Sequence, residues 1–206
     1  MTQYGFFVDV SKCTGCKTCM VACKDGHFAQ PGMNLRKVRE YSGGTWRKTN
    51  EGAWKQDVFA YYVSLSCNHC SNPACVKVCP TGAHFKRKED GLVVIDTKKC
   101  IGCGMCAKAC PYDALVLDAL VLDAQAKKMR KCDGCLDRLS QSKAPLCVEA
   151  CPQRAIAFGP IDELRKQYGK VDAVAPLPEP STKPNLVLRL PKRGSQPVGS
   201  TQGTVY

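Results

Sequence analysis

The sequence predicts an α+β chain of short strands and short helices built around four groups of cysteines, followed by an extended C-terminal tail. Three observations predict it. Sixteen of the 206 residues are cysteine, in four groups of four with none left over. Between the groups, brief β-rich runs alternate with brief helical ones, bounded by Gly or Pro. From about residue 175 the composition shifts to Pro, Gly, Ser and Thr. Hydrophobic residues at 44% and charged residues at 23% fit a globular chain and exclude a disordered one. The longest apolar runs, such as Val58–Leu65 and Ala114–Leu117, are far too short to span a bilayer.

Taken in order, Tyr4–Val10 reads as a strand that begins the fold. The N-terminus has no basic n-region, apolar h-region, cleavage site or twin arginine, so no export signal of its own is expected. A cysteine loop and a helix around Thr18–Lys24 follow. Residues 25–57 read as an insertion with one strand at Leu35–Tyr41. Val58–Ser66 is a strand rich in Val, Phe and Tyr. Pro73–Cys79 is a helix with Pro in its first turn. His84–Arg87 and Leu92–Ile95 form a hairpin across Glu89-Asp90-Gly91. Lys131–Ser140 is a loop and helix, Pro145–Cys151 a helix, and Ala155–Phe158 a strand. Pro160–Tyr168 is a helix that Pro starts and Gly169 stops. Ala175–Tyr206 is an extended tail, disordered unless it lies on a partner. The unit Asp113-Ala-Leu-Val-Leu117 recurs in tandem as Asp118–Leu122 and reads as a duplicated strand or turn segment in a surface loop.

The cysteine spacing carries the chemistry. The first group is Cys13, Cys16, Cys19 and Cys23. The third is Cys100, Cys103, Cys106 and Cys110. Both have the spacing C-x2-C-x2-C-x3-C of the bacterial ferredoxin run. A single chance match at this cysteine content is below roughly 1%. The second group, Cys67, Cys70, Cys75 and Cys79, stretches one gap to four residues. The fourth group, Cys132, Cys135, Cys147 and Cys151, stretches it to eleven. Gly15 and Gly102 let the loop backbone approach a metal site closely. The last cysteine of each group lies about one helical turn on, facing away from the first three, and is available to a different site. In three groups a Pro follows it and stops the helix: Pro80, Pro111 and Pro152. Zinc is the competing reading, but it favours two pairs over triplets with a trailing fourth cysteine. Disulfides suit short secreted chains.

The formal charge of +12, from 30 Lys and Arg against 18 Asp and Glu, taken alone would point to nucleic acid. Four [4Fe–4S] clusters with their thiolates would contribute about −8 and leave about +4. The basic excess then reads as compensation for buried anions, and no nucleic-acid partner is expected. Lys17, Lys108, Lys131 and Arg138 either raise cluster potentials or are solvated charges. His69, between Cys67 and Cys70, is a Rieske-type ligand, a hydrogen-bonding neighbour of a cluster, or a solvent-facing residue. His27 and His84 read as loop and strand residues. Tyr61, Tyr62, Trp46 and Trp54 read as core or partner-interface anchors rather than electron relays. No G-x-G-x-x-G after a strand, P-loop or G-x-S-x-G is present, so no substrate site is expected.

Tyr4-Gly-Phe-Phe7, Cys13-Thr-Gly-Cys-Lys-Thr-Cys19, Ser66-Cys-Asn-His-Cys70, Cys100-Ile-Gly-Cys103, Lys131-Cys-Asp-Gly-Cys135 and Ala157-Phe-Gly-Pro160 resemble the four-cluster iron–sulfur subunits of molybdopterin oxidoreductases. The likeness runs from about residue 3 to about residue 190. Val58–Ser66, Ala173–Pro178 and Thr182–Val187 favour the dimethyl sulfoxide branch. The resemblance implies two interleaved ferredoxin-like modules. Residues 1–57 and 126–172 would form the outer one, with the first and fourth groups. Residues 58–125 would form the inner one, with the second and third, and 173–206 the tail. It implies four [4Fe–4S] clusters. Cys13, Cys16, Cys19 and Cys151 would hold the first, and Cys23, Cys132, Cys135 and Cys147 the second. Cys67, Cys70, Cys75 and Cys110 would hold the third, and Cys79, Cys100, Cys103 and Cys106 the fourth.

The resemblance further implies an electron-transfer subunit without catalysis of its own. It would relay electrons from menaquinol, oxidised at an integral membrane anchor subunit, to a molybdopterin catalytic subunit that reduces a sulfoxide or N-oxide. A heterotrimer, membrane-associated through its partners on either face, follows. Tetrathionate, polysulfide, nitrite and formate systems use similar subunits. A stand-alone iron–sulfur enzyme and a zinc-stabilised binding module are the competitors from other classes. The first would need a cluster short of one cysteine, or a convergent acid/base pair, and all sixteen cysteines pair off.

Overall fold

The structure, a computed structural model, describes residues 2–118, 127–191, 195–200 and 203–205. Strand β1 (Tyr4–Asp9) is central to it. Phe6, Phe7 and Val8 are all buried, so β1 carries an unbroken apolar run rather than an alternating one. Both edges of β1 are paired. Strand β10 (Ile156–Pro160) runs antiparallel on one side, with Phe6 opposite Phe158. Strand β11 (Leu186–Arg189) runs parallel on the other, with Phe6 opposite Leu186. One face of the sheet takes helix α6 (Ile161–Tyr168) through Phe7, Ile161, Leu164 and Val187. Phe7 stacks on Tyr168 with ring centroids 3.8 Å apart. Helix α6 starts after Pro160, has Asp162 and Glu163 in its first turn, and ends at Gly169, whose φ is 99°.

The second sheet pairs β5 (Phe59–Leu65) with β2 (Lys37–Gly43), from Lys37 opposite Leu65 to Gly43 opposite Phe59. Strand β2 begins two residues later than Leu35–Tyr41 had indicated. Leu35 and Arg36 bend inward instead, and Arg36 binds the Ser64 and Ser66 side chains of β5 and the residue after it. The insertion also holds a hairpin that sequence patterning misses, β3 (Trp46–Lys48) with β4 (Trp54–Gln56). All six residues are exposed, so no alternation marks them. Arg47 and the Thr45 amide both bind the Asp57 carboxylate, at 2.8 and 2.6 Å.

The predicted hairpin is present as β6 (His84–Lys86) and β7 (Val93–Ile95), turning through Gly91 at φ 66°. Strand β8 (Leu115–Asp118) pairs with β9 (Lys128–Lys131). The first copy of the tandem unit thus supplies a strand. The rest of the second copy, from residue 119 on, lies outside the described residues.

Helices α2 (Ala74–Lys77), α3 (Met105–Ala109) and α5 (Leu146–Glu149) are one turn long, and each stops before its Cys-Pro pair. Helix α4 (Leu136–Leu139) is as short. Helix α1 (Thr18–Gly26) meets no proline after Cys23 and runs on for three more residues. Helix α1 packs on α5, and α2 on α3.

The C-terminal segment corrects the sequence reading. Its described residues lie on this chain rather than awaiting a partner. Val174, Ala175 and Leu177 join the main core, and Leu186, Val187 and Leu188 of β11 are almost wholly buried against β1. Strand β12 (Gly203–Val205) pairs with β2. Period-2 alternation is missing from β11 because both of its faces are covered. Leu188→Ala should therefore cost about 2–5 kcal/mol by opening a cavity beneath β1. A thermal melt of the full chain unchanged from wild type would show that the segment adds nothing to the core.

Candidate metal centres

Each cysteine group opens with C-x-x-C, and the residue two after the first cysteine has a left-handed backbone. It is Gly15 (φ 71°), His69 (φ 44°), Gly102 (φ 69°) and Gly134 (φ 81°) in the four groups. That turn folds amide N–H groups back onto sulfur. The Gly15 amide bonds Cys13. The His69 amide donates to Cys67 Sγ at 3.5 Å, and the Gly134 amide to Cys132 Sγ at 3.4 Å. A Cβ on Gly15 would lie 2.5 Å from the Tyr62 ring, so glycine is required there by space as well as by φ. Further donors reach Cys151 from the Ala155 amide at 3.3 Å and Cys70 from the Thr182 hydroxyl at 3.2 Å.

His69 fills a slot that is glycine in the other three groups, at a strain of about 1–2 kcal/mol. Its surroundings hold it there. The ring is fully buried, and Nδ1 accepts the Val93 amide at 3.1 Å. Its carbonyl accepts Asn185 Nδ2 at 2.8 Å. Burial, then the Lys131 and Lys86 ammoniums, push the imidazole well below its ordinary range, so it is neutral. With Nδ1 accepting, Nε2 carries the proton. The solvent-facing reading of His69 is therefore wrong.

All sixteen thiols are free, which removes the disulfide reading. They gather in four places. Burial raises the Cys13 thiol, and Cys19, Cys151 and Cys16 raise it further. Burial drives Cys23 up to about 12, and Cys147 and Cys135 add to this. Cys132 is pushed up by burial and then by Cys23 and Cys147. The third place is a cavity lined by Cys67, Cys70, Cys75 and Cys110, with Pro73, Tyr112 and Thr182 in its wall and not His69. Burial raises Cys75 there to about 12, with Cys67, Cys110 and Cys70 contributing. A second cavity is lined by Cys79, Cys100, Cys103 and Cys106. Sulfurs crowded together at one site repel as thiolates. A cationic metal core offsets that repulsion, so the donor sets fit such a group. Cys16 and Cys103 are exposed, one in the first place and one in the fourth.

The long helix α1 delivers a histidine to a sulfur. His27 caps it, and its Nε2 lies 3.3 Å from Cys135 Sγ, with Asp133 also near. The sequence reads His27 only as a loop residue, because the contact spans more than a hundred residues. Buried Lys131 donates to the Val93 and Cys132 carbonyls. Arg138 bonds Ala144 C=O and Glu149, and its charge also acts on Cys135. Lys17 is exposed. Tyr61 is core, its hydroxyl donating to Ala175 C=O at 2.6 Å. Trp46 and Trp54 are 64% and 62% exposed, which excludes a core role for them. His84 is a strand residue, buried, held down to about 4 by burial and Lys131. Sequence reasoning missed Arg36 altogether. It is 2% exposed and faces Cys147, Cys132, Cys19 and Cys23. Nothing in Met33-Asn-Leu-Arg36 marks it.

Two family profiles, each described as "4Fe-4S dicluster domain", match residues 58–161 and 12–83. The chain belongs to the 4Fe-4S dicluster family. Its cysteine groups are iron–sulfur motifs, and zinc loses its ground. Among curated relatives, one chain of the anaerobic dimethyl sulfoxide reductase of Escherichia coli (strain K12) is 55% identical over 203 residues, covering 98% of this chain and 95% of the relative. A tetrathionate reductase subunit of Salmonella typhimurium is 35% identical, covering 89% of this chain and 71% of the relative. The thiosulfate reductase electron transfer subunit of Salmonella typhi is 37% identical, covering 78% of each.

The Thr18 hydroxyl lowers the pKa of exposed Cys16, whereas burial raises Cys23 and Cys132. In the iron-free chain at about pH 8, iodoacetamide should alkylate Cys16 well ahead of those two. Peptide mass spectrometry reads the order, and equal labelling would mean the pockets do not form without iron.

Proposed function

We propose that the chain is the electron-transfer subunit of an anaerobic respiratory molybdoenzyme, in the dimethyl sulfoxide reductase branch, and holds four [4Fe–4S] clusters. What supports this is that all sixteen thiols are free, that Cys67, Cys70, Cys75 and Cys110 line one cavity and Cys79, Cys100, Cys103 and Cys106 another, and that two dicluster profiles match the chain. Cys13, Cys16, Cys19 and Cys151 hold the first cluster. Cys23, Cys132, Cys135 and Cys147 hold the second. Cys67, Cys70, Cys75 and Cys110 hold the third, and Cys79, Cys100, Cys103 and Cys106 the fourth. When bound, the clusters supply one-electron redox chemistry. The chain's own part is to hold them, to keep water from the middle two, and to aim amide and hydroxyl donors at their sulfurs. The packing of α1 on α5 and of α2 on α3 supports an outer module from residues 1–57 and 126–172 and an inner one from 58–125.

Among the described residues no helix is long and apolar enough to cross a membrane. In this reading, membrane association comes through a partner. A quinol-oxidising integral membrane subunit and a molybdopterin catalytic subunit complete a heterotrimer, and the chain itself catalyses nothing. The dimethyl sulfoxide branch is preferred over tetrathionate because identity is 55% against 35%.

Anaerobically purified protein should hold about sixteen irons and about sixteen sulfides per chain, with interacting signals in the EPR spectrum after dithionite. Near-stoichiometric zinc with little sulfide would refute the proposal. Cys103→Ser should alter the fourth cluster and leave three spectroscopically intact. Loss of every signal at once would show that the sites are not separable.

A further inference from the structure

Arg36 is a buried cation without an anion of its own. Its guanidinium donates from Nη1 to Ser64 Oγ at 3.0 Å and to Ser64 C=O at 3.3 Å, and from Nη2 to Ser66 Oγ at 2.9 Å. Its Cζ lies 4.7 Å from the Phe6 ring centroid. Among the described residues no carboxylate pairs with it. A buried, unpaired charge is costly enough that folded chains avoid it unless a counter-charge is close. The groups that face it are thiols: Cys19 of the first set, and Cys23, Cys132 and Cys147 of the second. Arg36 therefore stands between two sites that become anionic when clusters are bound.

The serine beside it relays the effect. Ser64 Oγ accepts from Arg36 and lies 3.2 Å from Cys19 Sγ. When Cys19 ligates as a thiolate it has no proton to give, and the Ser64 hydroxyl is then the donor to the sulfur. A cation beside an electron-accepting site stabilises the reduced, more negative state and raises its potential. We propose that Arg36 is a positioning residue that raises the reduction potentials of the first and second sites together, by its charge to both and through Ser64 to Cys19. The inference rests on the reading of four cluster sites given above.

The test is an EPR-monitored redox titration of the full chain, purified anaerobically, for wild type, Arg36→Gln, Arg36→Lys and Ser64→Ala. Signals of the first two sites are identified by their loss in Cys16→Ser and Cys135→Ser. Iron and sulfide are read first in wild type, and fewer than four clusters there refutes the reading of the sites rather than the role of Arg36. With four clusters present, Arg36→Gln should lower the reduced-to-oxidised ratio of the first and second sites about tenfold at fixed ambient potential, ~59 mV for a one-electron centre. The third and fourth sites should not move, and Arg36→Lys should recover most of the loss. Ser64→Ala should shift the first site alone. Unchanged potentials in Arg36→Gln overturn the proposal. If Arg36→Gln assembles neither of these clusters, Arg36→Lys and Ser64→Ala decide together: assembly and near-wild-type potentials at both sites in Arg36→Lys, with a first-site shift in Ser64→Ala, sustain the proposal, and failure of Arg36→Lys to restore either site overturns it.

Discussion

The cost of holding sulfur as thiolate in buried, crowded sites is the constraint on which the rest of this structure depends. A thiol in a dry pocket resists ionisation, and three neighbours of the same kind add to that resistance. Burial is the first cause of the raised Cys23, Cys75 and Cys132 thiols, and neighbouring cysteines add to each. The chain answers in three ways. Left-handed turns aim amides at sulfur. Hydroxyls of Ser64 and Thr182 approach Cys19 and Cys70. Buried Arg36 and Lys131 bring positive charge inside. The basic composition, which alone resembles that of a nucleic-acid binder, has at least part of its explanation here.

The same constraint shapes the backbone. Helices at three groups are cut to a single turn by proline, which keeps each fourth cysteine at the start of a new direction. The first group lacks that proline, and α1 extends far enough to set His27 against Cys135. Strand β1 then ties the ends of the chain together. It holds β10 on one edge and β11 on the other, so the loop of the first group and the helix of the fourth are neighbours despite a separation of more than a hundred residues.

The cysteine groups, the helix stops at Pro80, Pro111 and Pro152, and the boundaries of α6 were all legible in the sequence. Each depends on residues close in the chain: ligand spacing, a missing amide proton, a glycine past the last turn. The hairpin β3–β4 was not legible, because its residues are exposed and carry no period. The tail was misread because Pro, Gly and Ser usually mark solvated chain. Here Leu186–Leu188 lie between covered faces, and only the position of β1 reveals it.

By itself, then, the sequence determined the chemistry, since sixteen cysteines at ferredoxin spacing admit few other readings. Tertiary structure decided the electrostatic environment of those sulfurs. His69 in a glycine slot, His27 on Cys135 and Arg36 among four thiols are contacts between residues far apart in the chain. Charge acts through distance in space, and no local pattern records which cation will stand beside which sulfur.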